Sequence, residues 1–146
     1  MDEGELMSTP ITYEWKGEAV PGALDAVQGF VEERLEAAGA SMKTRMQMSL
    51  AVEEVFVNIA RYAYAPGTGE VSVTVTFTGP PSAAEVTFRD RGIPYDPLSN
   101  RDPDVTLPAE ERQIGGLGVF MMKKLTDEMH YAYRDGENVL TLKKLP

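Results

Sequence analysis

The sequence contains no cysteine, a single histidine (His130), a single tryptophan, and no apolar run long enough to cross a bilayer. Each absence closes off a class of function. Without cysteine there is neither a disulfide framework nor a thiolate metal site, and one histidine cannot make an imidazole zinc site, so zinc enzymes are set aside. Positive charge is also scarce. Fourteen Lys and Arg face 23 Asp and Glu, a formal net charge of −9, and such a field repels nucleic acid and anionic membrane. Residues 1–6 are acidic and lack the basic and apolar regions of a signal peptide. The expectation is a soluble cytoplasmic protein with neither nucleic acid nor membrane as a direct partner.

What is present suits one α/β domain. A chain of 146 residues, 42% hydrophobic, can bury a single core, and no repeat or low-complexity tract divides it. Residues 1–10 are expected to be a disordered tail. Residues 11–16 alternate as a strand, and Pro21 and Gly22 lead into a helix with the stripe Leu24, Val27, Val31 and Leu35, closed by Gly39. Ser41 is placed to cap a second helix, along which Met48, Val52, Val55, Ile59 and Tyr62 recur at steps of three and four, until Ala65, Pro66 and Gly67 stop it. Residues 71–77 and 84–88 then alternate about a Gly-Pro-Pro-Ser turn, an antiparallel hairpin with one buried face. Residues 95–114 carry Pro97, Pro103 and Pro108, many charges and no sustained period; a stretch this long without its own structure is expected to be a mobile lid. A helix over 116–129, with Val119, Met122 and Leu125 inward, is followed by strands at 129–134 and 138–143 around the hairpin signal Asp135-Gly136.

Three segments carry the chemistry. In the second helix, Glu54 and Asn58 stand one turn apart on a shared face bordering the apolar stripe. An amide oxygen can complete a magnesium shell, and a carboxylate one turn earlier can orient or deprotonate a hydroxyl. At the end of a strand, Asp90 can accept a hydrogen bond from an adenine amino group. Gly92, lacking Cβ, lets the backbone approach the ring, and Pro94 stiffens the exit. Arg89 and Arg91 are expected to face solvent. Finally, Gly115, Gly116, Leu117 and Gly118 open a helix whose free N–H groups and dipole suit an anion. Arg112 ranks ahead of Arg101, Lys123 and Lys124 as a contact to a terminal phosphate. Each segment alone is commonplace, but in this order they supply a metal ligand, a base reader and a phosphate cradle, which together read as one ATP site. His130 is expected to be a packed or surface histidine and not a phosphoacceptor.

Residues 50–64, 88–98 and 115–122 resemble the corresponding stretches of the bacterial anti-sigma-factor serine/threonine kinases. That family lies in the GHKL superfamily of histidine-kinase-like ATPase domains, beside gyrase, the heat-shock chaperone ATPase, histidine kinases and MutL. The likeness covers nearly the whole chain, from Ile11 to Leu145. It implies a two-layer α/β sandwich of the Bergerat type, a mixed and mostly antiparallel sheet with helices on one face. It further implies ATP and Mg2+ as cofactors, Glu54 as general base, Asn58 as magnesium ligand, Asp90 as adenine reader, Gly92 beside the base, and Gly116 and Gly118 at the phosphates. The implied protein substrate is an anti-anti-sigma protein of the STAS fold, with a sigma factor as competing partner and a homodimer as the working form. Two departures stand out: Tyr62 occupies a place where many members have histidine, and no arginine immediately precedes the glycine box. Two other readings remain, a non-catalytic ATP-binding module that sequesters a partner and a detached sensor-kinase catalytic domain.

Overall fold

Val71, Val73 and Val75 point to one side of their strand and Ser72, Thr74 and Thr76 to the other, and this alternation gives the sheet its two characters. The computed structural model describes residues 10–78, 83–99 and 123–145. Five strands, β1 (Ile11–Glu18), β2 (Glu70–Thr78), β3 (Ala83–Asp90), β4 (Glu128–Arg134) and β5 (Glu137–Lys144), pair in the order β1-β2-β3-β5-β4. All four pairings are antiparallel, where a mixed, mostly antiparallel sheet was expected. The register lines up Trp15, Val73, Phe88, Leu140 and Tyr131 as one row across the inner face. One step along, the next row reads Val71, Asp90 and Asn138, so the hydrophobic floor ends in a polar pair.

The outer face is tied by side-chain hydroxyls. Thr12 pairs with Thr76 and Thr87 with Thr141, each at 3.0 Å, and Arg89 donates to Thr74 Oγ1 at 3.4 Å. Arg89 is therefore half-buried along the sheet, whereas Arg91 is exposed as expected. Between β4 and β5, Asp135 and Gly136 have φ of 53° and 80°. Two successive left-handed residues make the hairpin turn whose twist matches that of the strands.

Two helices cover the inner face. A short 3-10 turn over Pro21–Ala23 leads into α1 (Leu24–Ala37), which buries Val27, Val31 and Leu35 as its stripe predicts. Gly39, at φ 84°, closes it: Gly39 N–H donates to Glu36 C=O and Ala40 N–H to Leu35 C=O, satisfying carbonyls the helix end would otherwise leave open. Helix α2 (Met42–Asn58) starts at Ser41, whose Oγ accepts from Thr44 N–H at 3.1 Å, and buries Met48, Ala51, Val52, Val55 and Phe56 against the sheet. Phe56 meets Trp15 edge-on at 6.4 Å between ring centres. No helix among the described residues is long and apolar enough to cross a membrane.

Two expectations about the helices need correction. The second helix does not run as regular α-helix to Tyr62. It widens after Asn58 into a π-helical turn, Ile59–Ala63, and the smaller rotation per residue shifts Tyr62 off the inward stripe, leaving it 47% exposed. The helix expected to reach residue 129 ends at Leu125 within the described segment 123–125, and β4 begins at Glu128, because Met129 and Tyr131 are needed against the core. Of the expected lid at 95–114 only residues 95–99 are described: Pro97–Ser99 forms a 3-10 turn, and Tyr95 N–H is bound to Asn138. Residues 100–114 and the turn at 79–82 lie outside the described residues.

The end of the helix is joined to the end of β3. Ile93 N–H donates to Ala63 C=O at 2.9 Å. The Tyr64 hydroxyl accepts from Arg91 N–H at 2.7 Å and donates to Glu70 C=O, bridging the loop after β3 and the start of β2. Burial pushes the Tyr64 phenol above its ordinary value, with the Arg91 N–H opposing in part. The folded protein therefore holds a proton that the unfolded chain releases first as pH rises past about 10, so this share of stability is present below that range and lost as pH climbs through it. Denaturant titrations should show Tyr64→Phe less stable by about 1 kcal/mol at neutral pH, with a shallower loss of stability above pH ~10 than wild type. Leu35→Ala, a cavity at a fully buried position, should cost about 2–5 kcal/mol in the same assay, at every pH.

Candidate functional site

Where the polar row meets the widened end of α2, a cavity of about 410 Å³ opens between helix and sheet. Its floor is Phe88 and Leu140 from β3 and β5. Val55, Ile59, Tyr62 and Ala63 supply the helical wall, Ile93, Tyr95 and Pro97 the loop wall, and Tyr131 the wall from β4. Three polar side chains line it: Asn58, Asp90 and Asn138. A slot of this size, apolar on its broad faces with a few fixed polar groups, suits a flat heteroaromatic ring.

Asp90 is the one charged residue on the described wall, and it is 5% exposed. Its Oδ1 accepts from Gly92 N–H at 2.9 Å and from Asn138 Nδ2 at 3.0 Å, while no described group reaches Oδ2. A carboxylate oxygen left open in this way on a largely buried residue can accept a hydrogen bond from an N–H donor that enters the slot. Asn138, 7% exposed, is saturated in turn. Its Nδ2 also donates to Ile93 C=O at 2.9 Å, and its Oδ1 accepts from Tyr95 N–H at 3.1 Å and from the Tyr131 hydroxyl. Burial pushes the Tyr131 phenol above its ordinary value.

The structure brings together Asn58 and Asp90 on one cavity wall, as the spacing of their segments predicts. Glu54 lies one turn before Asn58, half-buried, and is not on the described wall. Gly92 has a packing reason to lack Cβ as well. A Cβ there would run into the Ala63 carbonyl, its carbon 2.6 Å away, so the close approach is to the helix end. Pro94 is exposed and stands off the wall, and its neighbours Ile93 and Tyr95 line it instead, because an extended chain turns alternate residues inward. His130 is a surface residue on β4 beside Glu128, 3.9 Å away. Arg112, Gly115, Gly116, Leu117 and Gly118, and with them the expected phosphate cradle, lie outside the described residues.

The residues that sequence reasoning missed are Asn138, Tyr95 and Tyr131. Their signal was available only in part: Asn138 follows Asp135-Gly136 at a fixed offset, but that it faces Asp90 depends on the β3–β5 register, between strands 48 residues apart at this point.

The chain matches the histidine kinase-like ATPase domain family over residues 17–144. It is 28% identical over 102 residues to the serine/threonine-protein kinase BtrW of Bordetella bronchiseptica, covering 70% of this chain and 71% of that one. To the serine-protein kinase RsbW of Bacillus cereus it is 28% identical over 100 residues, 66% of this chain and 61% of the relative. To RsbW of Listeria monocytogenes it is 29% identical over 110 residues, 73% and 69%. Among solved structures it is similar to the RsbU and RsbW domains of a Mycobacterium tuberculosis protein, with TM-score 0.64 and 18% identity, over 92% of this chain and 32% of that longer one. At that identity the likeness is one of fold: an open antiparallel sheet with helices on one face. The family match runs from within β1 to the end of β5 and takes in Glu54, Asn58, Asp90 and Asn138. The chain belongs to the histidine kinase-like ATPase domain family, as its resemblance to the anti-sigma-factor kinases implies.

Proposed function

We propose that the protein is an ATP- and magnesium-dependent serine/threonine kinase that acts as an anti-sigma regulatory factor, with a STAS-type anti-anti-sigma protein as its substrate. The observation that carries this reading is the unpartnered Oδ2 of Asp90 at the edge of an apolar slot that also presents Asn58. Adenine offers an amino donor to such an oxygen, whereas guanine would set a carbonyl against it. Asn58 would lend an amide oxygen to a magnesium shell completed by phosphate and water, the usual arrangement for an ion that gives up its water reluctantly. The described residues contain no group of three or more carboxylate or imidazole side chains that could hold a metal alone, which fits that shared shell.

Glu54 takes the role of general base toward a serine or threonine hydroxyl of the partner, and Arg112 and the glycines at 115, 116 and 118 are assigned to the phosphates. Phosphoryl transfer asks mainly for positioning and charge neutralisation, which neutral amides and a metal cation can supply without a basic surface. This matters in a chain of net charge −9, whose long-range field opposes an incoming nucleotide. BtrW and RsbW are named serine or serine/threonine kinases, which supports the reaction class. The STAS target, the competing sigma factor and a homodimer belong to the same proposal.

A second reading, a non-catalytic ATP-binding module that regulates by sequestering a partner, is favoured by one observation: Glu54 stands off the described cavity wall. One experiment separates the two. With label from γ-labelled ATP and magnesium offered to dephosphorylated extract, wild type should label one small protein on serine or threonine. Glu54→Gln should keep ATP affinity within about twofold while transfer falls by about 10²–10⁴-fold, the usual share of a general base. Full transfer by Glu54→Gln would remove Glu54 from this role, and ATP binding without any transfer by wild type would favour the sequestering module. Asp90→Asn, which replaces an acceptor oxygen by a donor in one orientation of the amide and weakens it in the other, should lower ATP affinity by about tenfold or more in equilibrium binding.

A further inference from the structure

Asn138 is a buried amide with no capacity to spare. Each end of its side chain meets one backbone group of fixed polarity: Tyr95 N–H can only donate and so faces Oδ1, and Ile93 C=O can only accept and so faces Nδ2. Turning the amide over would set N–H against N–H and oxygen against oxygen. The Tyr131 hydroxyl adds a second donor on the Oδ1 side. The remaining N–H of Nδ2 therefore has one place to go, the Oδ1 of Asp90. Gly92 N–H meets the same oxygen from the loop, so both donors available in the fold converge on Oδ1, and Oδ2 has none among the described residues.

We infer that Asn138 is a positioning residue that sets base selectivity: held by Tyr95, Tyr131 and Ile93, it pins Asp90 Oδ1 and so presents Oδ2 as the acceptor for the exocyclic amino group of an adenine. With both its donors and both its acceptor positions taken, Asn138 contributes nothing to the ring directly. Its effect on the ligand's amino group passes through the carboxylate. Without the Nδ2 donor, Asp90 can rotate about χ2, exchange its two oxygens, and satisfy itself on the loop N–H groups in place of the ligand. The inference rests on the nucleotide reading proposed above and adds to it the residue that turns a buried carboxylate into a reader of one functional group.

The test is a chemical version of a double-mutant cycle, in which one member of the pair is removed from the protein and the other from the ligand. Equilibrium binding of ATP and of purine riboside triphosphate, which lacks the amino group, is measured with magnesium on the full chain of wild type, Asn138→Ala and Tyr131→Phe. Wild type should prefer ATP by about tenfold, the worth of one hydrogen bond to a charged acceptor. Asn138→Ala should lose most of that preference through weaker ATP binding, while the analogue stays within about twofold of wild type. Tyr131→Phe keeps the ring packing and removes one donor to Asn138, so it should lower the preference in the same direction by a smaller factor, and it decides the matter if Asn138→Ala does not fold.

Equal loss of both ligands in Asn138→Ala would make its role structural only and overturn the inference, as would an unchanged preference in Tyr131→Phe together with Asn138→Ala, or in Tyr131→Phe alone where the alanine variant does not fold. A wild type that binds both ligands equally would show that Asp90 does not read the amino group, which sinks the inference and leaves ATP binding standing. A wild type that binds neither would sink the nucleotide reading itself.

Discussion

The side-by-side placement of Asp90 and Asn138 on the inner face of the sheet is the constraint on which the site depends. Both side chains are nine-tenths buried or more, and a buried carboxylate without partners is costly enough to unfold a marginal domain or force its protonation. The β3–β5 register solves this by setting the two opposite each other, just past the apolar row that ends in Leu140 and Tyr131. From that one pairing the rest follows outward: the loop after β3 is folded down by Gly92, Ile93 and Tyr95, each bonded to the pair through its backbone. The loop walls of the cavity are thus a by-product of satisfying a buried acid.

The sheet itself is one-sided by composition. Valines, phenylalanines and leucines make the inner face, and threonines pair across strands on the outer, where β-branched residues favour extended backbone and their hydroxyls satisfy one another. This lets both helices lie on the same side and leaves the cavity at the one corner where a helix end, two strands and a loop converge. The polar work of the cavity is done by two neutral amides and one carboxylate, a set that suits recognition of a ring edge.

Much of this was legible in the residues. The strands at 71–77 and 84–90, the Asp135-Gly136 turn, the stripe of α1 and the Ser41 cap follow from local rules of period two, period 3.6 and capping, and each needs no knowledge of what lies across the fold. Asn58 and Asp90 were visible for the same reason, since a carboxylate at a strand end and an amide one turn from a glutamate are local features. What escaped was non-local. Asn138 reads as a polar residue after a turn until β5 is set against β3, and Tyr62 reads as the next step of an apolar stripe until the helix changes pitch. Gly92 was singled out correctly as a position without room for a side chain, but the neighbour that claims the room, Ala63, is 29 residues earlier in sequence and invisible to any local rule.

The π-helical turn at Ile59–Ala63 has a mechanical meaning. An α-helix passes each carbonyl on to the residue four ahead, so its carbonyls are spoken for until its last turn. The π-helical turn is the last before the helix stops at Ala65, Pro66 and Gly67, and the Ala63 carbonyl, open as the final carbonyls of a helix are, accepts from Ile93 N–H. The joint between the helix that bears Asn58 and the loop that follows Asp90 therefore lies at the irregular last turn of that helix. That last turn acts as a keystone, holding the Asn58 side and the Asp90 side of the cavity at one spacing.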